Sequence, residues 1–279
     1  MFKGIFIDES ECFEEKNIKF IEAFLYEKKY IFNIFYCESL NIYNNVNIFK
    51  KPLEYIDFNE KISLNKNYRQ QKNIIDFSNR FCENANEYIK TLRNNVNRDL
   101  YKKSNSILKN GITSQIVKVD DLEDQINAIL WEIEYLVKNK GLDYGDIAIV
   151  FPYNKKKLKN GKTIYFQYLL RKALDDVNIP YIIGDDDLTK HAKKTGITLS
   201  NLYFIKNLEY KAVVFCELEM LYNQTINKED QDYQINDFIG DLNKIYMVIN
   251  RASEYLTITT TFNENSSELI KILVNSINT

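Results

Sequence analysis

Short runs rich in β-branched and aromatic residues alternate with longer stretches of helical period along almost the whole chain, and few folds accommodate that alternation. A strand, an amphipathic helix and a second strand bring the chain back in the same direction, so a mainly parallel sheet with helices packed on it is predicted. Strands are expected over residues 4–7, 29–36, 115–119, 146–150, 181–183, 197–199, 212–216 and 255–259. Helices are expected over residues 71–92, 122–138, 163–176, 236–252 and 267–277. In the second of these, Ile126, Ile129, Leu130, Ile133 and Leu136 recur at helical spacing, and core packing alone accounts for them. The fold class is α/β.

With 279 residues and 45% hydrophobic content, the chain can bury the core of one large or two modest domains. Its formal net charge of −2 gives no global basic field of the kind that advertises nucleic acid, although a groove can still be locally basic. The densest cationic run is Lys155, Lys156, Lys157, Lys159 and Lys162, which reads as a solvated loop, with nucleic-acid contact as the alternative. Cys12, Cys37, Cys82 and Cys216 show no CxxC spacing, and reduced thiols in a cytoplasmic protein are expected. His191, the one histidine, lies in a polar segment and is expected to be solvated. The apolar run from Tyr30 to Tyr36 is too short to span a bilayer, so no membrane association is expected. Residues 93–111 and 223–234 are polar and read as loops, the second of them acidic.

Several segments carry residues suited to phosphate chemistry. Ile5-Phe6-Ile7-Asp8-Glu9 is an apolar strand ending in two carboxylates, at the edge where open α/β sheets bind ligands. Leu64-Asn65-Lys66-Asn67-Tyr68-Arg69 sets an aromatic ring and a guanidinium before a helix. The segment from Thr198 to Tyr210 contains Lys206, Leu208 and Glu209 ahead of an apolar strand. Tyr246-Met247-Val248-Ile249-Asn250-Arg251-Ala252 ends a helix with an arginine. The tripeptide Gly161-Lys162-Thr163 imitates a phosphate-binding loop, but the glycine required five residues earlier is Lys156. A turn before a helix is expected there instead.

In this order the segments resemble the motifs of UvrD/Rep-type superfamily 1 DNA helicases, over most of the chain. The resemblance implies a RecA-like fold: residues 1–59 as the end of a first lobe and residues 60–279 as the whole second lobe. It implies that Asp8 holds Mg²⁺ through water and that Glu9 polarises the attacking water. Tyr68 would stack on adenine, Arg69 and Arg251 would reach the transferring phosphoryl, and Glu209 would bind the ribose with Lys206 nearby. Ser200, Asn201 and Tyr203 would touch single-stranded DNA. The implied cofactors are ATP and Mg²⁺, and the implied partner is the missing N-terminal part of the motor, in the same or another chain.

The departures from the pattern matter as much as the matches. Cys37 and Leu40 stand where the family has Asp and the phosphate-sensing Gln, and a leucine can neither donate nor accept a hydrogen bond. Glu11 and Cys12 replace Gln-Asp, Tyr203 replaces a His, and Asn207 replaces a Gly whose turn an Asn can keep through positive φ. Asn250 replaces a Thr, and Asn243 and Lys244 stand where upstream arginines are common. The GxxxxGK[ST] loop that should precede these motifs is absent. Two functions follow: part of an ATP-dependent helicase that does not hydrolyse ATP alone, or a helicase-derived module that binds nucleic acid or protein without catalysis. A generic nucleotide-binding domain would instead leave Asp8, Arg69, Glu209 and Arg251 apart. With their lobe incomplete, Phe2, Ile5, Ile7, Ile31 and Phe35 are expected to be incompletely buried.

Overall fold

The alternation resolves into a six-stranded, wholly parallel sheet in a computed structural model that describes residues 3–24, 31–42, 58–92, 99–109, 111–112, 114–157, 163–184, 195–221, 231–263 and 266–277. Its strands are β5 (Gln115–Lys118), β6 (Ile147–Phe151), β9 (Tyr181–Ile183), β10 (Ile197–Asn201), β11 (Tyr210–Phe215) and β12 (Ala252–Thr260), in the spatial order β5-β12-β11-β6-β10-β9. The central strands read as continuous apolar runs because both of their faces are covered. Ala148, Val150, Val213 and Phe215 face one core, shared with α2 (Lys72–Leu92), α6 (Gln231–Ile249) and α7 (Glu268–Val274). Ile147, Ile149, Ala212 and Val214 face the other, shared with α3 (Leu122–Lys140) and α4 (Phe166–Asp176). Alternate residues of one strand thus feed two separate cores, the mark of a doubly wound RecA-like sheet.

Local chemistry sets the element ends. Asp121 caps α3 by accepting the Asp124 N–H, and Gly141 closes it at φ 69°, a conformation that glycine adopts without strain. The helix expected over 163–176 starts late: Thr163–Tyr165 form β8 and pair antiparallel with β7 (Lys155–Lys157), so only Phe166–Asp176 are helical. The first three residues of the solvated loop expected around the lysines are therefore a hairpin strand, while residues 158–162 lie outside the described residues, as does His191. The polar stretch 93–111 contains β4 (Asn105–Ser106), paired with β3 (Lys66–Asn67). Of the acidic loop, residues 231–234 belong to α6.

The N-terminal segment is a separate two-stranded parallel unit, β1 (Gly4–Ile7) and β2 (Ile31–Ile34), with α1 (Glu15–Glu22) covering one face. Ile7 and Ile18 are buried between them with Ile5, Phe32 and Ile34 alongside. Of the incomplete burial expected there, Ile5 is half-buried, Ile31 58% exposed and Phe35 48% exposed, but Ile7 is buried because α1 packs on it. Phe2 lies outside the described residues. Residues 38–42 leave this unit and enter the main core. Leu40 packs against that core and Ile42 is buried in it, and the Asn243 amide donates to the Asn41 carbonyl at 2.7 Å. No described helix is long and apolar enough to cross a membrane.

Candidate nucleotide site

The turn carrying Tyr68 and Arg69 is built by its own side chains. Asn67 Oδ1 accepts the N–H groups of Arg69 and Gln70, each at 2.9 Å, which holds the backbone in a tight Asx turn. Buried Gln70 then accepts from the Asn67 amide at 2.9 Å and donates to the Ala252 carbonyl at 2.9 Å and the Ile249 carbonyl at 3.4 Å. Gln71 N–H donates to the Ser253 carbonyl at 2.9 Å. These bonds fasten the turn to the chain on either side of Arg251. Sequence reasoning misses Gln70. Its signal is a polar side chain placed two residues before a strongly apolar helix face, where its amide must find buried partners.

Arg251 is only 8% exposed, and its guanidinium donates to the carbonyls of Met247 and Lys206. Burial and the nearby Arg69 push its pKa down, while Glu209 and Glu9 act in the opposite sense. It remains a cation at neutral pH. Arg69 pairs with Glu209 at 2.7 Å. Both side chains are about half exposed, so that pair adds only about 0–1 kcal/mol to stability.

Glu9 follows β1 in the left-handed conformation, φ 51° and ψ 42°, and reaches the same place from the N-terminal unit. One of its oxygens lies 3.9 Å from Lys206 Nζ. The Asn207 amide, oriented nitrogen-inward, donates to both Glu9 oxygens at 3.1 Å. This bond, and not a positive φ, is what Asn207 supplies: outside glycine, only Glu9, Asn178 and Glu217 among the described residues adopt positive φ. Lys206 makes its shorter pair with Glu11 at 2.8 Å, with side chains only 11% and 2% exposed. The sequence marks Glu11 as a departure from the motif, and the fold uses it as an anchor.

Elements distant in sequence therefore bring Glu9, Arg69, Lys206, Glu209 and Arg251 together. Asp8 sits beside them, exposed at the end of β1, with one oxygen accepting the Glu9 N–H at 2.9 Å. Tyr68 is exposed on the rim, its ring open to stacking. Among the described residues no group of three His, Cys, Asp or Glu could hold a metal ion. One exposed carboxylate suits only a hydrated Mg²⁺ carried by phosphate oxygens.

Two of the residues expected to contact DNA have other tasks. Ser200 is fully enclosed in β10 and donates to the Asn201 carbonyl at 2.9 Å, so it has no face to offer a strand. Asn201 caps α5 (Leu202–Ile205), accepting the Tyr203 and Phe204 N–H groups at 2.9 and 3.3 Å. Tyr203 is partly exposed. Beside it, Lys244 and Asp241 form a buried pair at 2.6 Å. Burial, outweighing the attraction of Lys244, pushes the Asp241 carboxyl up to about 6.

No protein-family model matches this chain. Over 120 residues it is 28% identical to a subunit of the ATP-dependent helicase/deoxyribonuclease of Bacillus cereus strain AH187, and 29% identical to the corresponding protein of strain G9842. The aligned stretch is 42% of this chain and 10% of each relative, so the chain spans about a tenth of the length of the curated relatives it matches. Among solved structures, the C-terminal domain of a possible DNA helicase from Lactobacillus plantarum aligns with a TM-score of 0.43 and 16% identity, covering 74% of this chain and 93% of that one. The Sulfolobus solfataricus SWI2/SNF2 ATPase core in complex with double-stranded DNA aligns with a TM-score of 0.36 and 15% identity, covering 60% and 31%. The chain is helicase-like in sequence over those 120 residues, and none of these likenesses assigns it to one helicase family.

Proposed function

We propose that this chain forms the second RecA-like lobe, with the end of the first, of an ATP-dependent DNA helicase of the UvrD/Rep type. The observation that carries the reading is the meeting of Glu9, Arg69, Lys206, Glu209 and Arg251, which a generic α/β domain has no reason to assemble. Bound ATP with Mg²⁺ would supply the phosphoryl group, with its metal held through water at Asp8. Tyr68 stacks on the base and Glu209 takes the ribose, exchanging its ion pair with Arg69 for the ligand. Arg69 and Arg251 then face the charge that develops on the phosphoryl, where a preformed guanidinium stabilises it without reorganisation. Because Arg251 is already locked by two carbonyls, it acts as a fixed cation and not as a mobile finger.

The 279 residues contain no GxxxxGK[ST] segment, so the cradle for the β- and γ-phosphates has to come from sequence outside them, on the same or another polypeptide. The test is ATP hydrolysis by the chain alone and with the polypeptide encoded immediately upstream, with and without single-stranded DNA. No turnover alone and DNA-stimulated turnover together is the expected result. Hydrolysis by the chain alone, or none in either setting, would contradict it.

A second reading has its own support. Asn207 and Lys206 already engage the Glu9 carboxylate, and Leu40 is packed into the main core, where no phosphate could be sensed. A helicase-derived binding module without catalysis would keep those contacts permanently. Absence of turnover in the paired assay, with DNA binding retained, is the outcome that favours it.

A further inference from the structure

Between Ile147 and Leu174 the sequence holds seven lysines and arginines and no carboxylate, in a chain whose net charge is −2. Chance use of a lysine-rich vocabulary would have scattered Asp and Glu through those residues as it does elsewhere. The fold gives this segment a definite place. Strand β7, which is three consecutive lysines, leaves the C-terminal end of β6 after three residues and pairs with β8 as an isolated hairpin.

The hairpin is rooted firmly. Phe166, at its exit, is fully buried and packs edge-on against Phe151, with ring centroids 5.4 Å apart. Asn154, at its entry, accepts the Gln167 N–H at 3.1 Å on its side chain and the Phe166 N–H at 2.9 Å on its backbone. Its amide also donates to Gln167 Oε1 at 3.1 Å. These bonds fix the base of a hairpin that, among the described residues, pairs with no other strand.

Aromatic rings flank it. Tyr165 and Tyr168, at the hairpin's exit, are 51% and 64% exposed. Tyr203 comes from the neighbouring strand: β10 pairs with β6 in the register Asn201↔Phe151, so Tyr203 and Tyr153 emerge side by side and share a hydrogen bond. Three residues past Tyr203 is Lys206 of the nucleotide cleft, so one turn of helix separates the two sites. A strand of three lysines beside exposed, sequence-indifferent stacking faces is the chemistry that tracks a single strand: phosphates are neutralised and bases stack.

We propose that the β7–β8 hairpin, through Lys155, Lys156 and Lys157 with Tyr165, Tyr168 and Tyr203 beside it, is a binding surface for single-stranded nucleic acid. This rests on the helicase reading and adds an element to it, since none of the motif segments includes the hairpin. The test is fluorescence anisotropy of labelled dT20 and rU20 oligonucleotides with the full chain, from about 50 to 200 mM salt. For Lys155→Gln/Lys156→Gln/Lys157→Gln the slope of log K against log salt should become shallower by about 2, the loss of three phosphate contacts on a single strand. Binding at the lower salt should weaken at least about tenfold. Tyr168→Ala should weaken it by about tenfold with the salt slope unchanged. Circular dichroism and the melting temperature confirm that each variant is folded. Tyr168→Ala stands independently if the lysine variant does not fold. An unchanged slope and affinity in the triple variant, with the parent binding normally, would overturn the hairpin and leave the helicase reading intact. No binding of either oligonucleotide by the parent would remove both. Loss of heparin binding in the triple variant, with no effect of Tyr168→Ala on the oligonucleotides, would mark a nonspecific polyanion surface and also overturn the proposal.

Discussion

The six-stranded sheet and the β1–α1–β2 unit are both parallel and both built from short apolar strands, yet they meet solvent differently. In the large sheet Val213 and Val214 point to opposite faces and each is enclosed, one under α6 and the other under α3 and α4. In the small one, Ile7 is enclosed under α1 while Phe6, its neighbour on the other face, stands 67% exposed. A parallel pair of strands is stable when both faces are covered, and here one face has no cover from the described residues of this chain. The large sheet thus carries the fold, and the small unit is held to it at its edges, through Lys206 with Glu11, Asn207 with Glu9, and Asn243 with Asn41.

Substitution on the two sheets should separate them most sharply. Phe215→Ala, in the enclosed core, is expected to cost about 3–5 kcal/mol in urea unfolding. Phe6→Ala, of identical chemistry on the open face, is expected to stay within about 0.5 kcal/mol. A large loss at Phe6 would mean that its face is covered in solution. Next in size, Lys206→Ala strands the enclosed Glu11 carboxylate and should cost about 3 kcal/mol. Its signature is local: hydrogen exchange should rise across residues 4–22 while β6 keeps its protection. Equal loss in both places would show that the small unit is not a separately held body.

Gln70→Ala comes third, at about 1–3 kcal/mol, because the Ala252 and Ile249 carbonyls lose their buried donor. Thermal melting checks it, and a change within error would mean that water replaces the amide. Smallest is the Arg69–Glu209 pair, for which a double-mutant cycle should give about 0–1 kcal/mol of coupling. A coupling well above that would place the pair in the core of the fold and not at its ligand face.

The regular parts of this molecule are legible in residue pattern, and the failures have definite causes. Strands 4–7 and 181–183 match their expected limits because turn or polar residues bound each apolar run. Residues 163–165 read as helix because their apolar spacing continues smoothly into α4. Their partner, β7, is three lysines with no strand pattern of its own, so nothing local announces the pairing. The two-residue strands β3 and β4 escape notice for the same reason. At the site, the motif segments point to Arg69, Glu209 and Arg251, and the fold brings these together. The sequence alone does not say how the departures are used. Glu11 in place of a Gln is the buried partner of Lys206, and Asn207 in place of a Gly is a donor to Glu9, because both depend on contacts between segments about 195 residues apart. Ser200 reads as a surface contact from its place in a motif, but β10 is enclosed on both faces there, with Thr198, Leu199 and Ser200 all fully buried.

The account rests on the convergent residues being a nucleotide site, and nucleotide titration asks this directly. Arg69→Ala suits the purpose because its side chain is half exposed and its loss leaves the fold in place. A fluorescent ATP analogue with Mg²⁺ should bind the parent chain combined with the polypeptide encoded immediately upstream, and Arg69→Ala should weaken that binding about tenfold, the loss of one charge-assisted contact. An analogue that does not bind the combined parent, or that binds the parent and variant combinations equally, would contradict the assignment.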